Sequence, residues 1–297
     1  MAGKIKNPYL CRKNPGMPEC IHKSFLRNGQ LIESTLFDES FLSKPHYIYE
    51  VFRVIDGLPL FVEDHLGRLR QTIELSGLPP QHIPADFTEQ VYKLIEANQL
   101  QEGNIKVVVL SADTEQEAAF LIYIMEHQYP SVAEFENGVE LALHYGVREN
   151  PNAKVMDVEL RSNTNQIKKK QLVYETLLVD QDHCITEGSR SNVFFVRDEE
   201  VITPPLADVL PGVTRKHVMK LCTELGIPLR EEKVPETSLW KMDAVFITGT
   251  SRKVLPAYRI DEWLYPPDYP IVRQVQAAFN REVENYLQSK RQPFQEE

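Results

Sequence analysis

The chain has 297 residues, 33 Lys plus Arg against 43 Asp plus Glu for a formal net charge of −10, and 42% hydrophobic residues. That length suits two ordinary domains or one large one, and an acidic chain without a dense basic stripe fits neither nucleic acid nor an anionic membrane surface. The longest nearly pure apolar run, Ala118–Met125, is far short of the ~20 residues of a membrane span. The N-terminus has no apolar core of a secretory signal, and Cys11, Cys20, Cys184 and Cys222 form no CxxC pair, so the expectation is a cytoplasmic protein with reduced thiols.

In chain order, residues 1–22 are rich in Pro, Asn and Lys and predict an irregular arm. Ser24–Ile32 reads as a hairpin about Asn28-Gly29, and Ile48–Ile55 with Leu58–Val62 as a second pair about Asp56-Gly57. Leu66, Leu69 and Ile73 recur at helical spacing over Glu63–Leu75, before Gly77 and Pro79-Pro80 stop the run. Thr88–Asn98 predicts another helix, and Ile105–Leu110 and Ala119–Met125 predict strands. Residues 131–138 show no consistent periodicity and read as a connection. Beyond it come strands at Val139–Val147, Glu175–Val179, Asn192–Val196, Val201–Thr203 and Ala244–Thr248, and helices at about 160–173, Thr214–Leu225 and Ile271–Gln288. The mixture lacks a strict βαβ rhythm, which favours an α/β (α+β) fold with mixed sheets over a doubly wound parallel sheet. The expected organisation is an arm at 1–22, a smaller α/β domain at 23–130, the connection at 131–138 and a larger α/β domain at 139–297.

Several short segments could carry chemistry, and each also has a plain structural reading. Ile185–Asn192 (ITEGSRSN) puts a glutamate in a tight Thr-Glu-Gly turn, either presenting a carboxylate to a buried partner or forming a polar hairpin loop. In Leu210–Arg215 (LPGVTR), Gly212 with the Val213 and Thr214 amides suits a phosphate at a helix N-terminus, or Thr214 is an ordinary N-cap. Thr248–Ser251 (TGTS) ends a strand with hydroxyls that could bind phosphate or merely cap it. His65 and Arg68 share a helix face, and Arg68 is a phosphate partner or a surface arginine. Lys154 is either a surface lysine or an amine with lowered pKa able to form a Schiff base. Lys168-Lys169-Lys170 reads as a solvated helix face. No metal site is expected.

The order Arg68, Lys154, Glu187, Gly212-Val213-Thr214, Thr250 is what changes the odds. With IYEVFRVIDG (48–57), HLGRL (65–69), EHQYP (126–130), ITEGSRSNVFFV (185–196) and VFITGTSRKVLP (245–256), it resembles the class IV aminotransferases, pyridoxal-phosphate enzymes of fold type IV. The likeness runs from about Ile48 to Asp261. It implies a two-domain fold with pyridoxal 5'-phosphate in the interdomain cleft, and a homodimer. It also implies an amino acid and a 2-oxo acid as substrates. Lys154 would be the Schiff-base lysine and proton shuttle, with Lys168 to Lys170 as rival positions. Glu187 would face the pyridine nitrogen. Arg68, Val213, Thr214 and Thr250 would hold the phosphate, while Tyr49, Val51, Arg53, His127, Ser251 and Arg252 would line the substrate side. Met125 stands where D-amino acid aminotransferases carry a carboxylate-binding arginine, so either Arg53, Arg148 or Arg252 takes over or the substrate is presented differently. An aminodeoxychorismate lyase-type enzyme releasing pyruvate, and a non-catalytic ligand-binding homologue, are the alternatives.

Overall fold

A computed structural model describes residues 19–43, 47–110 and 119–291; most of the expected arm at 1–22, with Cys11, lies outside the described residues. The first hairpin pairs β1 (Ser24–Arg27) with β2 (Gln30–Glu33), and positive φ at Asn28 (51°) and Gly29 (78°) makes its turn. β3 (Ile48–Ile55) turns through Asp56 and Gly57, again at positive φ, into the short β4 (Leu58–Pro59). Helices α1 (Val62–Leu75) and α2 (Phe87–Asn98) follow, then β5 (Glu102–Leu110) and β6 (Ala119–Met125). Among the described residues these strands form one sheet in the order β2-β1-β6-β5-β3-β4. Strand alternation sends Ile48, Phe52 and Val54 toward α1 and α2, where Leu69, Ile73, Val91 and Leu94 complete a core. The opposite face carries Tyr49, Val108, Leu121 and Tyr123.

The segment expected to be a plain connection contains a helix, α3 (Val132–Asn137). Six residues are too few to show a period, yet its start is written in sequence as a capping box. Ser131 Oγ accepts from the Glu134 N–H, and the Glu134 carboxylate accepts from the Ser131 N–H. β7 (Val139–Tyr145), α4 (Val158–Gln171), β8 (Glu175–Val179), β9 (Cys184–Gly188), β10 (Asn192–Arg197) and β11 (Glu200–Thr203) come next. After them are α5 (Val213–Glu224), β12 (Leu229–Glu231), β13 (Val234–Pro235), β14 (Ala244–Gly249), β15 (Lys253–Ile260), β16 (Trp263–Leu264) and α6 (Pro270–Arg291). The second sheet runs β12-β11-β10-β14-β15-β7-β8-β9-β13 with β16 on β15; β15-β7-β8 is parallel and most other pairs are antiparallel. The architecture is therefore mixed α/β, as the irregular rhythm of the sequence predicts.

Two local expectations change. Glu187 is not in a tight turn: it lies inside β9, and the reversal falls at Gly188–Ser191. β15 has no alternation to read, because Val254, Leu255, Pro256 and Ala257 are all buried and a proline argues against a central strand.

Gly138 joins α3 to β7 at φ 74°, ψ 178°, where a Cβ would lie 3.0 Å from both Pro267 Cβ and the Tyr258 nitrogen. Gly138→Ala is expected to lower the unfolding free energy by ~1–3 kcal/mol in chemical denaturation, from strain in a region almost reserved for glycine.

Candidate active site

The buried stripe of α1 includes two ionisable groups, His65 and Arg68, beside Val62, Leu69, Thr72 and Ile73. Both meet Glu50, on the helix-facing side of β3. The guanidinium grips the carboxylate through Nε (2.9 Å) and Nη2, and His65 Nδ1 lies 3.1 Å from it. Burial opposes charge on Glu50, but Arg68 and His65 outweigh it and hold the carboxyl far below the usual range. Burial also lowers His65, with Glu50 pulling the other way. Arg68 has one more bond to give: Nη1 donates to the Pro211 carbonyl at 3.3 Å. Its guanidinium thus reaches the loop that opens α5.

That helix begins at Val213 with Gly212 as its N-cap and no side-chain cap, so Thr214 is inside the first turn rather than an ordinary N-cap. Its first amides consequently keep their donor capacity. A Cβ at Gly212 would sit 2.0 Å from Asn192 Oδ1, so a larger residue there would have to displace the Asn192 side chain. Asn192 Nδ2 in turn fixes the Leu210 carbonyl at 2.9 Å. One residue carries the next contact: the Leu210 N–H donates to Glu187 Oε2 at 3.0 Å, while Arg148 Nε donates to Oε1 at 2.8 Å. Consecutive residues of a single loop thereby touch Glu187 and Arg68.

Lys154 follows the turn after β7. Its N–H donates to Thr72 Oγ1, its carbonyl accepts from the Tyr49 N–H, and Val155 bridges to Ile48, so the segment is tied to α1 and β3. The ammonium sits 4.6 Å from the centroid of the Tyr49 ring and forms no ion pair with a carboxylate among the described residues. Burial lowers the Lys154 pKa; Tyr49 and Glu50 oppose the shift, and Arg68 and Arg148 reinforce it. Tyr49 responds to the same cations. Burial would raise its phenol, but Lys154, Arg161, Arg148 and Lys106 bring it down to about 7. Arg161, on α4, donates to its oxygen at 3.1 Å.

The rival lysines resolve differently. Lys169 and Lys170 are exposed, whereas Lys168 is not part of a solvated face: it turns toward Glu175 on β8 (3.9 Å), and burial lowers it to about 8. Consecutive helix positions point ~100° apart, so one of three faced the sheet.

Of the residues expected on the substrate side, Arg53 lies over the Tyr129 ring (3.6 Å) and His127 is 4.5 Å from the same ring. Tyr129 donates to Asn104, which donates to Ser251 Oγ at 2.8 Å, and Thr250 Oγ1 donates to the Val51 carbonyl at 3.3 Å. These bonds join the two sheets. Arg252 is elsewhere, bonded to Glu175 and to the Arg190 carbonyl. Of the arginines offered in place of Met125, Arg148 is engaged by Glu187 and Arg252 by Glu175. Sequence reasoning passed over Glu50, Arg161 and Lys106. A charged residue at a core-phase position of a strand was the available signal for the first.

The donors fit pyridoxal 5'-phosphate: a guanidinium and uncapped helix amides for a phosphate, a buried carboxylate for a ring nitrogen, and a lysine with depressed pKa for an aldehyde. Residues 47–260 match the family model for amino-transferase class IV. The chain belongs to the class IV aminotransferase family. Its reaction is amino-group transfer with pyridoxal 5'-phosphate as cofactor. Relatives include a D-alanine aminotransferase of Bacillus licheniformis, 25% identical over 80% of this chain and 87% of its own, and a probable branched-chain-amino-acid aminotransferase of Thermotoga maritima, 28% identical over 80% and 85%. The branched-chain amino acid aminotransferase of Escherichia coli shares the fold, with a TM-score of 0.77, 21% identity and coverage of 88% of this chain and 95% of that one.

Two outcomes are expected. Glu50→Ala leaves Arg68 buried without its counter-charge, and denaturation of the variant should show a loss of ~3–5 kcal/mol together with weaker cofactor uptake. In protein stripped of cofactor, tyrosinate absorbance should rise in one step as pH increases through about 7, and Tyr49→Phe should abolish that step.

Proposed function

We propose that this aminotransferase moves an amino group from an amino acid to a 2-oxo acid at the seam between the two sheets, with Lys154 as its Schiff-base lysine. When bound, the cofactor supplies an electron sink for the pair left at the substrate Cα. The observation that carries the assignment is the loop at 210–212, which contacts Glu187 and Arg68 from adjacent residues and so fixes an acid and a cation at a set separation.

In this reading Arg68, the Val213 and Thr214 amides, the Thr214 hydroxyl and Thr250 hold the phosphate. Glu187, steadied by Arg148 and the Leu210 N–H, retains an acceptor lone pair for the pyridine nitrogen. Lys154 takes the proton from the substrate Cα and returns it on the other side of the transfer. Its lowered pKa makes the free amine available for that task. Tyr49, whose ring lies beneath the Lys154 ammonium and whose hydroxyl accepts from Arg161, holds the side chain of Lys154 in place. Tyr49, Arg53, His127, Ser251 and Arg252 shape the substrate side, although the engagement of Arg252 with Glu175 makes its part indirect.

A division into a smaller domain at 23–130 and a larger one at 139–297, joined through 131–138, accords with the two sheets. A homodimer is part of the same reading. A cytoplasmic setting suits the buried free thiols of Cys20, Cys184 and Cys222, and among the described residues no helix is long and apolar enough to cross a membrane.

Borohydride reduction of the loaded protein should fix the cofactor on the peptide containing Lys154. Lys154→Ala should lower amino transfer by on the order of 10²–10⁴-fold. Label recovered on Lys168, or transfer surviving in the variant, would overturn the assignment.

A further inference from the structure

The face of the first sheet that carries Tyr49, Val51 and Arg53 also carries a buried cation that the transfer reaction does not account for. Lys106, on β5, pairs across with Val51 on one side and Tyr123 on the other. Its ammonium stands 5.4, 5.9 and 5.7 Å from the ring centroids of Tyr47, Tyr49 and Tyr123. Tyr49 is therefore the common neighbour of Lys106 and Lys154. A cation in an aromatic surround, on the substrate side of the site, is suited to a carboxylate.

That carboxylate is already present, supplied by the chain itself. Glu19 Oε1 accepts from Lys106 Nζ at 2.9 Å and from the Tyr123 hydroxyl at 3.3 Å, and the pair is nearly sealed from solvent, with side chains 5% and 7% exposed. The segment bearing it runs beside β6, with Cys20 packed among Phe25, Tyr47 and Tyr123. Cys20 forms an isolated bridge with Met125, the Ile21 N–H donates to the Ile124 carbonyl, and the Glu19 N–H donates to Glu39. Met125 is the position where the sequence lacks an arginine, so the segment lies along the strand end that would otherwise present one.

We propose that Glu19 is a specificity-determining residue: it fills the anion position of Lys106 and so disfavours substrates with a second carboxylate. A dicarboxylate must displace Glu19 from a buried ion pair to use Lys106. A substrate with an apolar side chain meets a tyrosine-lined wall and has no such competitor. The inference rests on the reading of this seam as the substrate site, but its test needs no turnover.

The experiment compares binding of two unreactive acids, glutarate and butyrate, to the cofactor-loaded protein by calorimetry. In Glu19→Gln the ratio of glutarate to butyrate affinity should rise at least tenfold, because Lys106 is left without its internal counter-ion. In the double variant Glu19→Gln, Lys106→Met the ratio should fall back to that of the unaltered protein. An unchanged ratio in Glu19→Gln, or a rise equally large in the double variant, would overturn the proposal. Should Glu19→Gln fail to fold, Glu19→Asp keeps the charge but withdraws it by one methylene, and a ratio raised at least threefold is expected; no rise there also rejects it. Absence of amino transfer in the unaltered protein, with the ratios behaving as stated, would instead count against the transfer reading.

Discussion

The geometry of the site depends on one ion pair out of reach of water, between Glu50 and Arg68. Neither residue is at home where it sits: a carboxylate on the helix-facing side of β3 and a guanidinium in the apolar stripe of α1 each lose hydration on folding. Each becomes tolerable through the other, with a two-point contact and His65 alongside. An isolated buried pair is weak evidence of stability, since apolar substitutes often do as well. Its value lies in direction. A forked contact fixes the plane of the guanidinium, and the remaining nitrogen is aimed at Pro211.

From Pro211 the constraint passes along the chain in both directions. One residue back, Leu210 anchors Glu187; one residue forward, Gly212 opens α5 with amides left free of a side-chain cap. Asn192 closes the arrangement by holding the Leu210 carbonyl and by filling the space a Cβ at Gly212 would need. Three residues of loop thus act as a spacer whose ends are pinned by β9, β10 and α1. A cofactor with a ring nitrogen at one end and a phosphate at the other needs that separation to be rigid. Backbone of fixed length between packed elements provides it better than side chains would.

Much of this was legible before any coordinates. The two Asx-Gly hairpins, the long helices and the antiparallel strands announce themselves by turn chemistry and period, and the ordered motifs marked Lys154, Glu187 and the LPGVTR loop. What escaped has physical causes. α3 is too short for a period, though its capping box was written in Ser131 and Glu134. Glu187 looked like part of a turn because glycine and small polar residues follow it, whereas its own side chain belongs to a buried strand. Lys168 was hidden in a run of identical residues whose helix positions face different surroundings. The partners of Tyr49 could not be read from sequence because Lys106, Arg148, Lys154 and Arg161 come from separate elements, and only tertiary packing brings them to one phenol.

That convergence gives the site its electrostatic character. The chain as a whole is acidic, at −10, yet the surroundings of Lys154 gather Arg68, Arg148, Arg161 and Lys106. Glu50, Glu187 and Glu19 each bind one of these cations directly, leaving Lys154 and Arg161 to share the phenol of Tyr49. Burial lowers the affinity of the Lys154 amine for its proton, and Arg68 and Arg148 close by add to that shift. Cations nonetheless outnumber carboxylates around Lys154 on a molecule that is negative as a whole. A dianionic phosphate and the carboxylates of amino and oxo acids are drawn to such a place. In the proposed reading, the cations that would attract the reactants include Arg68 and Arg148, which also favour the unprotonated amine of Lys154, so binding and proton transfer would draw on a single arrangement of charge.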